Sequence, residues 1–343
     1  MNNNSVFYSI QKENQNNKIN KKEKGKEENN KTIYKIVKSS FYILNELTNV
    51  KKIRQYKTHF YTCEDSSILD ISEITDDTED IDETQKKPDE TILLQFQPKQ
   101  LISFKNYLKK NMKPQKFIFS LITFYRDILK SLLVLKENNI IHNFVNVDSI
   151  VIDKRNQVLL TDFKFSIDSK QFTKNVSSFI RAYEPSYIEW SPEFHILSYM
   201  ITNKLHSLSF FNIETIVNDI IAQNYVLNAF DDKFVSLYKT ESLQYFAKYV
   251  NKSYEFIVND VLTYCYTWDN YSLGILFLKI LINIHKCVKV KNKFIILFMK
   301  LLVNNIHLNP LKRPTIEIAL NNFEDFLNST SQQDYKDCVN LLV

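Results

Sequence analysis

The sequence predicts an α+β protein with a small β-containing part followed by a larger, mainly helical part. Short strand-like runs flanking one amphipathic helix occupy the first part, and helical periodicity dominates after residue 194. With 343 residues and 44% apolar content, the chain is long enough to bury a sizeable core. Its two glycines, Gly25 and Gly274, lie too far apart to form a glycine-rich phosphate-binding loop. Nucleotide folds that depend on such a loop are therefore disfavoured.

Charge and cysteine content narrow the class of protein. Lys and Arg number 44 against 39 Asp and Glu, and this net charge of +5 is spread along the chain. The four cysteines contain no C-x-x-C pair, which predicts neither a zinc site nor a disulfide framework. The first residues lack the apolar core of a secretory signal, and no run has the length and apolarity of a membrane span. We expect a protein of the reducing cytoplasm without a membrane partner.

The first part begins with a polar segment, residues 1–31. It contains one strand-like run, 6–10, and then a stretch rich in Lys, Asn and Glu for which we expect partial disorder. Alternation over 32–37 predicts a strand, and apolar residues at helical spacing over 41–56 predict a helix. A further strand is expected at 91–96.

An acidic run separates this helix from the strand that follows it. Ten acidic residues and no basic residue lie between Glu64 and Glu83, within an expected loop over 64–90. Because such a block repels itself, it predicts a solvated, mobile loop, with a docking site as the alternative.

The second part is expected to be mainly helical. Residues 101–110 show a helical pattern, and residues 117–136 are apolar on most of the helix circumference, as in a helix buried on several sides. Two β-like runs, 150–152 and 158–160, flank a turn. Further helices are predicted over about 195–230, 234–265, 269–286, 291–304 and 314–328, and a tail over 330–343.

Two short motifs surround the predicted β-pair. Residues 140–152 read IIHNFVNVDSIVI, and residues 160–164 read LTDFK. Phe144 in the first motif and Asp162 in the second are eighteen positions apart. A long apolar helix precedes both motifs, which places them at the start of the helical part.

Three further motifs follow in order. They are WSPE at 190–193, DNYSLG at 269–274 and PLKRPT at 310–315. With the first two, they resemble the ordered motifs of eukaryotic-type protein kinases, from the catalytic loop and metal-binding triplet to A-P-E, D-x-W-S-x-G and P-x-x-R-P-T. The resemblance implies a bilobal protein-kinase-like fold, with a small lobe at 32–97 and a larger, mainly α-helical lobe at 98–329.

One interval is longer than in most of the family. The 75 residues between Glu193 and Asp269 exceed the usual short stretch, which predicts a helical insertion at about 195–268. Similar insertions occur in the divergent kinase-like proteins of large cytoplasmic DNA viruses, and the chain resembles them in this respect.

The chain departs from the family where the resemblance implies the reacting groups. Phe144 stands in place of the catalytic carboxylate, and a phenyl ring accepts no proton. Asn146 replaces the loop lysine, and Ser149 replaces the asparagine that would hold a second metal ion. Asp162 remains as a metal-binding carboxylate, but Lys164 stands where the family has glycine. If a metal binds, Asp162 and Ser149 are its expected ligands.

Two acids are close enough in sequence to substitute for the missing base. Asp148 lies four positions after Phe144, and Asp153 lies in the adjoining turn. Asp148 occupies a position that the family leaves variable and solvent-facing, so a turn carboxylate is its simpler interpretation.

The nucleotide clamp is also altered. Lys35, with Lys38 as its rival, lies where the resemblance implies the phosphate-pairing lysine, and Glu46 lies where its glutamate partner would be. Ile33 stands in place of a small alanine beside the adenine ring, where its larger side chain would compete with the base for space. If ATP binds, its expected contacts are Lys35, Glu46 and Asp162.

The residues to which the resemblance gives an architectural role are present. His142 and Phe163 correspond to stacked members of the family's internal spine. Glu193 and Arg313 correspond to its buried ion pair, for which the planar guanidinium suits a bidentate contact. Asp269 would accept backbone N–H groups of the catalytic loop, with capping of its own helix as the alternative role.

This pattern, with architectural residues present and reacting groups missing, predicts an inactive serine/threonine-protein-kinase-like protein, a pseudokinase. We expect it to act by binding a protein partner, such as an active kinase or its substrate, and to need no cofactor. The alternative is a divergent active Ser/Thr kinase that uses ATP and Mg²⁺. A third class, nucleic-acid binding, draws on the basic first segment and nineteen tyrosines, but the dispersed charge disfavours it.

Overall fold

The computed structural model of the protein describes residues 7–8, 32–69, 91–110, 114–172, 176–180, 182–287 and 293–330. It is a mixed α/β structure, 58% helical, with small antiparallel sheets and a mainly helical C-terminal part. This confirms the predicted division into a β-containing part and a larger helical part. Most of the polar segment 1–31 and of the tail lies outside the described residues.

The first sheet has four antiparallel strands in the order β1-β2-β4-β3. They are β1 Phe7–Tyr8, β2 Ile33–Lys38, β3 Asp65–Leu69 and β4 Thr91–Phe96. The strands β2 and β4 pair over their full length, from Ile33 opposite Phe96 to Lys38 opposite Thr91. The strands predicted at 32–37 and 91–96 are therefore confirmed within one residue at each end.

Part of the predicted acidic loop is a strand. Residues 65–69 form β3, with Asp65 opposite Gln95 and Ser67 opposite Leu93. The prediction of a loop is therefore wrong for this stretch. Backbone hydrogen bonds to β4 do not require apolar side chains, and β3 lies at the edge of the sheet, where polar side chains face water. Residues 70–90 lie outside the described residues.

Two smaller sheets lie in the second part. The strands β5 Leu101–Ser103, β7 Ile150–Asp153 and β8 Val158–Leu160 form one antiparallel sheet, and β6 Ile140–Ile141 pairs with β9 Ile167–Asp168. The predicted pair at 150–160 is thus confirmed. Residues 101–103 are a strand and not the start of the predicted helix, because Ile102 pairs with Ile152 of β7. Helix α2, Phe104–Lys110, begins directly after β5.

Helix α1, Phe41–Ile53, is the helix predicted for the first part. The side chain of Ser40 caps it by accepting the N–H of Ile43 at 3.3 Å. The prediction extended the helix to residue 56, but α1 ends earlier because the chain turns to join β8. The N–H of Tyr61 donates to the carbonyl of Leu160, and the N–H of Leu160 donates to that of His59, both at 2.9 Å.

The remaining helices build the second part. They are α3 Pro114–Glu137, α4 Val176–Phe179, α5 Pro192–Thr202, α6 Phe210–Gln223, α7 Asp232–Phe246, α8 Tyr254–Leu262, α9 Trp268–Cys287, α10 Lys293–Asn305 and α11 Ile316–Ser329. Helices α5 to α8 fill the stretch for which a helical insertion was predicted. Within the described ranges, no helix combines the length and apolarity needed to cross a bilayer.

The first two helices predicted after residue 195 are each two helices in the structure. Lys204, between α5 and α6, and Asn251, between α7 and α8, have positive φ values of 52° and 57°, which interrupt helical geometry. Ser209 and Ser253 then cap the helices that follow, α6 and α8. These local reversals are the reason that the prediction of continuous helices is wrong.

Helix α9 packs closely against the end of α10. A Cβ atom at Gly274 would lie 2.9 Å from Ile306 Cγ2 and 3.0 Å from Asn305 Cβ. The glycine of the DNYSLG motif is therefore required by this close approach of two chain segments.

Candidate functional site

A row of polar side chains on α1 binds the segment that follows β8. Asn45 Nδ2 donates to the carbonyl of Ser166 at 2.7 Å, and Asn49 Nδ2 donates to Ser166 Oγ at 2.9 Å. One turn further along, Lys52 Nζ lies 2.6 Å from Asp168 Oδ2. Positions 45, 49 and 52 share one helix face because they are four and three residues apart. The sequence analysis did not predict this row. The signal for it was Asn49, a polar residue between the buried positions Leu47 and Val50.

Glu46 faces the same segment. Its Oε1 accepts the N–H of Phe163 at 3.2 Å. Burial raises the pKa of the Glu46 carboxyl to about 7, and Asp162 adds to this increase, while Lys164, the Phe163 N–H and Lys35 oppose it in that order. Lys164 therefore acts on Glu46 more strongly than Lys35 does. Near neutral pH, both the protonated and the ionised forms of Glu46 are populated.

Lys35 and its neighbours lie on β2. Lys35 is partly buried in the middle of the strand, opposite Leu94 of β4, whereas Lys38 is exposed at its end. Ile33 begins the strand opposite Phe96. The charge of Lys35 lowers the pKa of Glu46, but its effect is the smallest of those just given and is smaller than that of Lys164.

Asp162 has a counter-ion two residues along the chain. Lys164 Nζ lies 3.0 Å from Asp162 Oδ1, and both side chains are about one third exposed. Asp162 adopts a left-handed backbone conformation with φ 62° and ψ 62°, and residues 163–165 form a single 3₁₀ turn. A divalent cation at this carboxylate would therefore compete with the Lys164 ammonium group.

The loop that contains Asn146 and Ser149 closes on itself. Asn146 Oδ1 accepts the N–H groups of Asp148 and Ser149 at 2.7 and 3.1 Å. Ser149 Oγ accepts the N–H of Asn146 at 2.9 Å and donates to its carbonyl at 3.1 Å. Since the donor and an acceptor site of the buried Ser149 hydroxyl are used within the loop, this geometry opposes a metal-ligand role.

Phe144 belongs to an aromatic cluster formed by Tyr42, Phe144, Phe165, Tyr187 and Trp190. Its ring centroid lies 5.3 Å from those of Phe165 and Tyr187 and 6.3 Å from that of Trp190, all in edge-on geometry. Phe165 in turn contacts Tyr42 of α1 at 5.3 Å. Edge-to-face ring pairs of this kind are favourable beyond their buried area. The aromatic cluster therefore joins α1, the loop of Phe144 and the segment before α5.

The two acids near Phe144 have other environments. Asp153 Oδ1 accepts the N–H groups of Arg155 and Gln157 at 2.8 and 2.9 Å, which closes the turn between β7 and β8. Asp148 is exposed. Burial raises the pKa of Glu189, Lys279 opposes this increase, and the charge of Asp148 adds slightly to it.

His142 and Phe163 stack inside the protein. Their ring centroids are 4.9 Å apart, and Phe60 continues the stack at 5.7 Å from Phe163. All three side chains are buried. His142 Nε2 lies 3.0 Å from the carbonyl of Thr161, so Nε2 carries a proton and donates it. The sequence reasoning did not single out Phe60, because this contact joins segments that are distant in the chain.

Asp269 binds the same loop from α9. Its Oδ2 accepts the N–H of His142 at 2.8 Å, and its Oδ1 accepts that of Asn143 at 2.7 Å. Burial raises the pKa of the Asp269 carboxyl, while His142 and the two N–H groups oppose the increase. This is the contact that the resemblance implies, and it holds the residues immediately before Phe144.

Glu193 and Arg313 form a fully buried ion pair. Arg313 Nη2 lies 2.9 Å from Glu193 Oε1, and both side chains are 0% exposed. The prediction of a bidentate contact is wrong. Arg313 Nη1 donates to Thr267 Oγ1 at 3.0 Å, and Arg313 Nε donates to the carbonyl of His307 at 3.1 Å. Glu193 Oε2 has no hydrogen-bond partner among the described residues. The arginine therefore links three segments of the helical part.

Comparison with known proteins assigns no family. No protein-family model matches the chain, and no curated protein matches it significantly. Within the described residues, no three His, Cys, Asp or Glu side chains come together as a metal-binding group. The side-chain contacts described above hold α1 and the loop of Phe144 in place, and aromatic rings pack against Phe144.

Proposed function

We propose that the protein is a catalytically inactive, protein-kinase-like protein, a pseudokinase, that acts by binding protein partners. The single observation that carries the proposal is the aromatic cluster around Phe144. An active kinase or its substrate is the kind of partner that such a protein would regulate.

The aromatic cluster supports the loss of base catalysis. A kinase base is a carboxylate within hydrogen-bond reach of the substrate hydroxyl, and a phenyl ring accepts no proton. Because three rings pack edge-on against Phe144, its side chain is held in place. Loss of a general base alone typically costs about 10²-fold to 10⁴-fold in rate.

The ion pair of Asp162 with Lys164 supports the loss of metal binding. Phosphoryl transfer depends on cations that neutralise charge on the phosphates. In this chain Lys164 neutralises Asp162, and Ser149 forms hydrogen bonds within its own loop. Both positions that the resemblance assigns to metal ligands thus have internal partners.

The proposed bilobal arrangement is supported by the docking of α1 on the segment after β8. In a kinase-like fold, a helix of the small lobe packs against the metal-binding triplet and aligns the two lobes. Here Asn45, Glu46 and Asn49 make the corresponding contacts to Phe163 and Ser166. We place the small lobe at 32–97 and the larger lobe at 98–329.

A divergent active Ser/Thr kinase is the second candidate. The observation in its favour is the exposed carboxylate of Asp148, in the same loop as Phe144. In that case Asp148 would accept the proton, and ATP with Mg²⁺ would be bound by Lys35, Glu46 and Asp162.

Nucleotide titration and phosphate transfer separate the two candidates. We expect ATP, with Mg²⁺ or Mn²⁺, to leave the melting temperature of the wild-type chain unchanged, because a ligand stabilises only a fold that it binds. We also expect no transfer of radiolabelled γ-phosphate to the chain or to a generic protein substrate. Transfer that is lost in Asp148→Asn but kept in Asp325→Asn, an exposed control on α11, would establish the active kinase instead.

A further inference from the structure

A groove of about 940 Å³ lies beside the three-stranded sheet of the second part. Residues of β5, α2, α3 and the β7–β8 turn line it. Its apolar lining includes Leu101, Ile102, Tyr107 and Ile152, of which Ile102 is 38% exposed. The volume is within the range of about 300 to 1,000 Å³ typical of ligand sites.

The rim of the groove is basic. Lys99, Lys110 and Lys154 line it, and Asp153 is the one acid among the described residues of the lining. The Asp153 carboxylate already accepts two backbone N–H groups of its turn. Lys110 and Lys154 are exposed, and Lys99 Nζ is held at the rim by the carbonyl of Lys57 at 3.3 Å. The groove thus combines an apolar floor with an excess of positive charge.

The basic character continues on the surface around the groove. Lys105 and Lys109 are exposed on α2, and Arg155 is exposed in the β7–β8 turn. Such a patch attracts anionic partners over about 8 to 10 Å at physiological salt. Charge complementarity therefore requires an acidic occupant.

We propose that this groove binds an extended, acidic segment of a partner protein that also carries aliphatic side chains. Carboxylates of the segment would face Lys110 and Lys154, and an aliphatic side chain would cover the floor at Leu101 and Ile102. A nucleic acid is disfavoured, because its phosphates would leave the aliphatic floor exposed and, of the lining residues that the structure describes, Tyr107 alone is aromatic. This inference rests on the proposed function, because it identifies the surface through which the protein would bind a protein partner.

The chain's own acidic run supplies a suitable probe. A labelled peptide with the sequence of residues 64–83 contains ten acidic residues, no basic residue and several Ile and Leu residues. Its binding to the full-length protein is measured by fluorescence polarisation without nucleotide and across a salt series. Because nucleotide is absent from this assay, failure of the peptide to bind would not change the interpretation of the ATP titration or of the phosphate-transfer experiment.

Charge reversal at the rim tests the site. We expect saturable binding that weakens at least about tenfold in the double variant Lys110→Glu, Lys154→Glu, and also as salt increases. The matched control, Lys233→Glu with Lys300→Glu, changes the same net charge at exposed positions of α7 and α10 and should bind like the wild type. The milder variant Lys110→Gln, Lys154→Gln should weaken binding in the same direction if the reversal disturbs folding.

Four results would overturn the proposal. They are no binding, equal loss in the test and control variants, equal binding of a peptide in which every Ile and Leu is Ser, and stronger groove-dependent binding of single-stranded RNA. A fifth result would overturn the choice of occupant. If a protein variant with neutral residues in place of the acids of 64–83 binds the peptide about tenfold more tightly, the chain's own acidic run occupies the groove in the wild type.

Discussion

Two neighbouring stretches of one loop behave differently in this protein. The backbone of His142 and Asn143 is held by two hydrogen bonds from the buried carboxylate of Asp269. One residue later, Phe144 turns into a cluster of aromatic rings. On one side polar groups are paired at 2.7 to 2.8 Å, and on the other side aromatic rings pack edge-on against each other.

The difference shows that one loop is held by two kinds of contact, backbone hydrogen bonds to a buried carboxylate and edge-on contacts between rings. Asp269, Glu193 and Arg313 bind backbone and side chains in the interior, where an unpaired charge is costly. Phe144 contributes ring contacts, each of which is smaller. Substitutions in the two regions should therefore differ in the size of their effect on the free energy of unfolding.

The largest effect is expected for the buried ion pair. Arg313→Met leaves Glu193 charged and without a partner in the interior, and also removes donors to Thr267 and His307. We expect a loss of about 3 to 5 kcal/mol in the free energy of unfolding, measured by urea denaturation. The control Lys312→Met, at the exposed neighbouring residue, should change it by less than about 0.5 kcal/mol. Equal effects at both positions would contradict the comparison.

A pH-dependent effect is expected for Glu46. Its folded-state pKa is raised from 4.5 to about 7, so the folded state binds this proton more tightly and loses stability as pH rises between these values. Glu46→Gln keeps an acceptor for the Phe163 N–H and cannot ionise. We expect the variant to exceed the wild type above pH 7 by up to about 3 kcal/mol, and the difference to disappear near pH 4.5.

Thermal melts of wild type and Glu46→Gln at a series of pH values measure this difference. If Lys35 formed the dominant ion pair with Glu46, as in an active kinase, the variant would be less stable than the wild type at high pH. That outcome would place Glu46 with the reacting groups rather than with the architecture.

A smaller effect is expected for Asp269→Asn. The amide keeps one oxygen acceptor, so one of the two N–H groups of His142 and Asn143 loses its partner. We expect a loss of about 1 to 3 kcal/mol by urea denaturation. The control Asp325→Asn lies at an exposed position of α11 and should be nearly neutral. No loss at Asp269 would mean that its contacts do not hold the loop.

The smallest effect is expected for Phe144→Leu. The substitution keeps an apolar side chain and removes the edge-on contacts to Phe165, Tyr187 and Trp190. We expect a loss of about 1 kcal/mol, because each ring pair contributes only about 0.5 to 1.5 kcal/mol beyond its area and the leucine side chain keeps part of the contact with each ring. Urea denaturation measures this loss, and the control Phe211→Leu, at an exposed ring of α6, should be nearly neutral. A loss as large as that of Arg313→Met would remove the distinction between the two regions.

Several elements could be predicted from local sequence alone. Alternation identified β2 and β4, the turn residues after Asp153 identified the β7–β8 pair, and helical periodicity identified α1, α3 and α9. These predictions succeed because burial on one face repeats with the period of the element. Strands β3 and β5 were missed, since their pairing with β4 and β7 compensates for a weak or polar pattern.

By itself, the sequence determined the mixed α/β class, the buried helices and the residue at position 144 that cannot accept a proton. Only the tertiary structure decided that Lys164 pairs with Asp162, that Ser149 forms hydrogen bonds inside its loop, and that α1 binds Ser166 through Asn45 and Asn49. The physical reason is distance along the chain. Asn49 and Ser166 are 117 residues apart, and Asn45 and Ser166 are 121 apart, so no local periodicity records which of many polar residues will meet.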